Sequence, residues 1–295
     1  MLAFKSSVGM EGNMCVRKNI MTVYVVSFLF ALVAFFLFKN LACYAVYEKE
    51  FNLAAVGIYS WIPGCFGLYF AKKENFKINV RCKLGKPFIF ASLMPLVIAG
   101  LGIFFSLPFS VFSLNRVLEA TQVYHLCFPG KAINITLFIL ALYGISFITS
   151  ISLNFFFHLG QELFWRGYVW IKYEHLNFGM RCFLSGLLYS LWFAPLIVFF
   201  GHNYPYQKSW GVILMLGFSL ALTPILSFLR EKEKGVMSCT IFYSMILTFC
   251  PIDVVFFPEG NQLLIAPLGI AGILSLFCVA LPIMYAVVQK RYKAA

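Results

Sequence analysis

His158, Glu162 and Arg166 stand four residues apart, and Gln161 lies three residues beyond His158. On an α-helix this spacing sets an imidazole, a carboxylate and a guanidinium in one stripe. Glu162 and Arg166 make an i,i+4 carboxylate–guanidinium pair in the favourable order. Such a set has the means for acid–base chemistry. A carboxylate or imidazole takes a proton from water, and a guanidinium holds a carboxylate or an oxyanion. The stripe also lies at the end of a long apolar run. A charged group at the centre of a membrane helix costs about 2.5–3.5 kcal/mol on insertion scales, so such groups pair, face a polar interior and mark functional sites. The plainer alternative has Arg166 reaching out to lipid headgroups, with Glu162 as its companion and His158 as a hydrogen-bonded interior histidine.

The elements that must carry this stripe are membrane helices. The 295 residues are 61% hydrophobic and 12% charged, against about 45–50% and about 25% in soluble chains. No stretch is polar enough for a separate soluble domain, so residues 1–295 read as one membrane domain. Apolar runs long enough to span a bilayer fall at about 20–38, 53–71, 88–112, 134–160, 182–200, 209–229, 236–250 and 263–288. The expected fold is all-α, a polytopic membrane helical bundle of about eight transmembrane helices. The fourth run should continue as helix through the stripe to about Trp170, and the seventh is the shortest. Pro63, Pro95, Pro195, Pro224, Pro267 and Pro282 fall inside the runs. Segment 113–133, with Asn115, Arg116, Glu119 and His125, reads as an outer connection, and Asn134-Ile135-Thr136 is a formal glycosylation sequon.

Charge sorts these runs by side. Of the 23 Lys and Arg residues, 18 fall at the termini and even-numbered loops and 5 at the odd-numbered loops. Positive loops stay in the cytoplasm, which places both termini there. The basic residues sit between apolar runs and form no cluster, so no nucleic-acid partner is expected; membrane lipids are. The nine cysteines include no CxxC pair. No disulfide framework, metal site or cofactor is expected.

Gln161-Glu162-Leu-Phe-Trp-Arg166-Gly167 resembles the first motif, Glu-Glu-x-x-x-Arg, of the CAAX protease and bacteriocin-processing family (the CPBP or Abi group). Leu188-Tyr189-Ser190-Leu191-Trp192-Phe193-Ala194-Pro195 is similar to the family's second motif, Phe-x-x-x-His, with Tyr189 at the Phe position and Phe193 at the His position. Gly235 to Ser244 is similar in placement to the third, with Ser244 and Thr248 at its polar positions and Tyr243 as a rival. The likeness covers about residues 134–250. It implies an all-helical intramembrane endopeptidase acting on prenylated or membrane-tethered peptides, with Glu162, Arg166, His158 and Gln161 as the catalytic set and Tyr189, Trp192, Phe193, Tyr243, Ser244 and Thr248 around the substrate. Counted along the runs, Glu162, Phe193 and Ser244 should share one depth, roughly 12–17 Å from the inner helix ends.

The departures bear on activity. In relatives the first carboxylate and the second-motif histidine activate water; here they are Gln161 and Phe193. General-base catalysis is worth roughly 10²–10⁴ in rate, and lost oxyanion donors cost about 10²–10³ more. The resemblance therefore implies a degenerate site, unless Glu162 and His158 act as a shifted pair. His202 falls on the outer side, out of reach. Two other classes fit the same residues: a non-catalytic binding or immunity protein with an aromatic-lined cavity, and a small transporter. No second charged span is evident to make a translocation path for the latter.

Overall fold

The computed structural model describes residues 2–41, 43, 46–113, 135–265 and 267–292. The expected outer connection beyond Ser113, with Asn115, Arg116, Glu119 and His125, and the sequon residue Asn134 lie outside the described residues. The described regular structure is helical throughout: α1 (Leu2–Lys39), α2 (Glu48–Lys73), α3 (Lys86–Ser106), α4 (Ile135–Ile151), α5 (Leu153–Lys172), α6 (Phe178–Phe200), α7 (Lys208–Glu233), α8 (Met237–Phe256) and α9 (Ile270–Tyr292). Seven of these are long and apolar enough to cross a membrane. Helices α4 and α5 pass the same test together, bent by 54°, so that the described residues hold seven such spans, or eight with the bent pair counted as one. The protein is a polytopic helical bundle and a multi-pass membrane protein. Pro267 lies before α9, not inside it as expected.

The fourth run is thus not one continuous helix. Its hydroxyls explain the break. Thr149 donates to the carbonyls of Ile145 and Ser146, and Ser152 donates to that of Ile148. Back-bonding of this kind competes with the backbone ladder and bends helices. Ser150 and Asn154, on either side of the break, both donate to Thr248 Oγ1 of α8, at 3.2 and 3.0 Å. The bend is therefore pinned to a neighbouring span.

Helix α8, the shortest expected run, is the most central. Of its most apolar window, 72% is buried, against 28% for α1 and α9. It packs against α3, α4, α5 and α7. A span wrapped by protein needs no long lipid-facing surface. Helix α2 crosses α5 at glycines. A Cβ on Gly64 would meet Gly160 Cα at 2.7 Å, and one on Gly160 would meet the Ser60 carbonyl at 2.6 Å. Only paired glycines let the two backbones come this close, and the contact presses α2 onto the segment that carries the charged stripe.

Candidate functional site

The stripe points into the bundle. Glu162 and Arg166 are 0% exposed and Gln161 is 2% exposed. Arg166 Nη1 lies 3.3 Å from Glu162 Oε1, and Nη2 donates to Thr223 Oγ1 of α7 at 3.0 Å. The guanidinium lies over the Tyr189 ring of α6, 5.0 Å from its centre. Arg166 does not reach lipid headgroups; a cation buried this way needs the carboxylate and the ring face to offset lost hydration.

Local backbone form helps to set this geometry. The seven residues Leu163–Val169, which follow Glu162, form a π-helix, and all are buried. Wider turns of this kind are rare and frequently sit at functional sites. Arg166 and Gly167 lie within the π segment. Gly167 leaves room for Ile78, whose Cγ2 would be 2.9 Å from an added Cβ. Ile78 belongs to the strap between α2 and α3, which is itself tied down: Asn79 Nδ2 donates to the Lys234 carbonyl, and Val236 N donates to the Asn79 carbonyl.

Gln161 faces the other way around the helix. Its Nε2 donates to Ser60 Oγ of α2 at 2.8 Å, and its Oε1 accepts from the Tyr189 hydroxyl at 2.5 Å. Tyr189 also shares a hydrogen bond with Tyr243 of α8. The Tyr243 ring in turn lies 4.4 Å from the His158 imidazole, centre to centre. Five spans therefore meet here: α2, α5, α6, α7 and α8.

The expected common depth of Glu162, Phe193 and Ser244 does not hold. Glu162 is ten residues from the Lys172 end of α5, and Phe193 is fifteen from the Phe178 end of α6. At about 1.5 Å per α-helical residue Phe193 is roughly 22 Å in, and Glu162, whose path runs through the shorter-rise π segment, is less than about 15 Å. Tyr189, eleven residues in, is the true neighbour of the Glu162 level. Phe193 sits about a turn higher, with its ring against Tyr189 and Trp192. Its third neighbour is His202, stacked flat at 6.0 Å with an interplanar angle of 6°. His202, expected to lie out of reach, comes back over the end of α6. Gly201 makes this possible with a left-handed φ of 65°, its N–H donating to the Ile197 carbonyl.

The remaining expected residues divide. Tyr243, the rival, is in the cluster. Ser244 is buried next to it, its hydroxyl unpaired. Thr248 holds the α4–α5 bend and is not at the charged centre. Trp192 donates from Nε1 to Ser27, and its carbonyl accepts from Tyr59. Trp192 also walls a lipid-side groove of about 600 Å³ between α1 and α6, lined almost wholly by apolar atoms. The aromatic residues expected to line a cavity instead fill the space with packed rings: Tyr189, Trp192, Phe193 and Tyr243 are each no more than 2% exposed.

Ser60, Asn154, Thr223 and Arg230 were not legible as site residues. Ser60, Asn154 and Thr223 are polar side chains in apolar runs, and Arg230 opens the charged segment 230–234, which reads as a loop. Asn154 extends the stripe by one step, to 154, 158, 162 and 166. Arg230 Nε donates to the Arg166 carbonyl at 2.9 Å, which supplies the second charged span not evident in the sequence.

The centre has hydrogen-bonding capacity left over. Glu162 Oε2, Arg166 Nε and His158 Nδ1 are buried without a partner. No hydrogen bond joins His158 to Glu162 among the described residues. The arrangement holds a carboxylate beside a guanidinium and two phenols, with a phenyl ring above and the nearest imidazole a helical turn away. No family model matches the chain, and no curated protein matches it.

Proposed function

We propose that the protein is a membrane protein on the scaffold of CAAX-type intramembrane endopeptidases, and that its site holds a membrane-borne apolar ligand without cutting it. The ligand class is a prenylated or membrane-tethered peptide, within the surrounding lipid. The observation that carries this is the state of Glu162: fully buried, ion-paired to Arg166, and set beside the Tyr189 and Tyr243 rings, with Phe193 packed above Tyr189, where hydrolysis would need an imidazole and an open place for water. The apolar groove supports the binding half. Its wall includes Tyr24, Tyr59 and Trp192, whose polar atoms are all taken up internally. An apolar chain lying there meets no unpaired group, and Trp192 carries the contact on to Tyr189 through stacked rings. The 18-to-5 distribution of basic residues supports cytoplasmic termini, although Arg166 leaves the loop count for the interior.

Photolabelling with a prenylated peptide bearing a photoreactive group on its chain tests this. Labelling should map to α1 and α6 and fall in Trp192→Ala. Labelling that is spread evenly over the lipid-facing surface and indifferent to Trp192 would refute it.

One observation favours a second reading. Glu162 Oε2 and His158 Nδ1 are both buried, both unpaired and one helical turn apart. A water bound by both would have a carboxylate base and an imidazole partner, and the site would be a shifted hydrolase. Cleavage of a prenylated peptide lost in both Glu162→Ala and His158→Phe would select it.

A further inference from the structure

A thread of titratable side chains runs from the surface at the Gly201 turn down to Glu162. His202 is partly exposed beside that turn and stacks on Phe193. His158, half-buried, is joined to it through one cluster of rings, from Phe193 to Tyr189 to Tyr243. The Tyr243 ring packs on His158 at 4.4 Å and its hydroxyl bonds to Tyr189. Both phenols are within electrostatic reach of Glu162. On the far side of Glu162 the composition changes. Arg166 is in contact, and Arg230 of α7 donates to the Arg166 carbonyl. The other elements packed around Glu162 bring Cys239 from α8, Thr223 from α7 and Ser60 (through Gln161) from α2, and α7 also sets Glu233 beside Arg230 and Cys239.

We infer that Glu162 Oε2 is a proton-binding site served through His202 and His158 and closed from the opposite face by Arg166 and Arg230. A proton from water at the His202 face passes to an imidazole nitrogen, then to His158, and comes to rest on Glu162 Oε2. Glu162 becomes a neutral carboxyl and Arg166 keeps its charge. Two observations point here independently of each other. The atoms that would hand over and receive the proton, His158 Nδ1 and Glu162 Oε2, are the buried ones left without partners, and buried polar atoms are rarely left so without a water or proton role. Arg166, meanwhile, is in contact with Glu162 on the side where Arg230 follows, and its fixed positive charge repels a proton arriving from that direction, with Glu233 and Glu231 beside Arg230. Uptake neutralises the partner of Arg166 and leaves the guanidinium held by Thr223 and the Tyr189 ring. The site would thereby couple acidity on one face of the membrane to the packing of α5 against α6 and α7. This does not depend on the protein being a peptidase relative.

Time-resolved infrared spectroscopy of the protein in oriented vesicles, following an acid jump on one side, tests the inference. The carbonyl band of a protonated carboxyl should appear after acidification of the His202 face and be absent in Glu162→Gln. Its appearance should slow by about tenfold or more in His202→Gln and in His158→Gln, two variants at separate places in the thread. A band that survives Glu162→Gln, that rises at the wild-type rate in both histidine variants, or that responds equally to acid on either face would overturn it.

Discussion

Two acid–base clusters in this bundle look alike as residue inventories and differ in what they leave unsatisfied. Where the ends of α2 and α5 meet the middle of α1, Glu74 Oε1 accepts from Asn19 and from the Tyr168 hydroxyl, at 3.1 and 2.7 Å, while Oε2 pairs with Lys172. Lys172 also lies over the Phe76 ring. Glu74 and Lys172 are 20% and 26% exposed, so water supplies whatever the protein does not. In the interior, Glu162 has one partner at 3.3 Å and a second oxygen with none, at 0% exposure. The first cluster ties the ends of α2 and α5 to α1, and both Glu74 oxygens are taken up. The second retains capacity where a missing hydrogen bond costs most. A residue list does not separate a clamp from a site; unsatisfied, buried valence does.

That contrast should be visible in stability. Arg166→Met strands the Glu162 carboxylate and should cost about 3–5 kcal/mol, read as a lower midpoint of thermal unfolding in detergent. Adding Glu162→Leu should recover most of the loss, since the stranded charge is then gone. Lys172→Met, by contrast, should cost less than about 1 kcal/mol, because the Glu74 pair is partly hydrated. Equal losses in Arg166→Met and Lys172→Met would erase the distinction.

Two scaffold changes sharpen it. Gly160→Leu places a side chain against the α2 backbone at Ser60 and Trp61. It should cost at least about 1–3 kcal/mol by overpacking and disturb the Gln161–Ser60 contact, while sparing the Glu74 cluster. Thr248→Val removes the acceptor shared by Ser150 and Asn154. Interhelical hydrogen bonds in membranes average about 0.6 kcal/mol each, so the loss should be about 1 kcal/mol, with greater amide exchange at the α4–α5 bend as its local signature.

The sequence made the helical class, seven of the spans and the inward stripe legible, because hydropathy and the i,i+4 period each report on one element at a time. The bend at Ser152 was written in Thr149, Ser150, Ser152 and Asn154, but a run of hydroxyls reads as apolar-compatible until a neighbour such as Thr248 is known. The π segment at Leu163–Val169 has no periodic signature over so few residues. The level of Phe193 was misplaced because depth was counted from helix ends that lie several residues from where hydropathy puts them. The contact of His202 with Phe193 was lost for a different reason: His202 was read as a connection residue out of reach, and the left-handed Gly201 turns the chain back onto the end of α6. The central pair was found because its chemistry lies on one helix; Thr223, Ser60 and Arg230 were not, because each belongs to another.

The most direct test of the central claim is hydrolysis. Purified protein, reconstituted in lipid, is incubated with a prenylated peptide and the products are read by mass spectrometry. An uncut peptide, in a preparation where the same peptide photolabels α1 and α6, is the predicted result. Release of the peptide's C-terminal residues by the wild-type protein, abolished in Glu162→Ala, would contradict it.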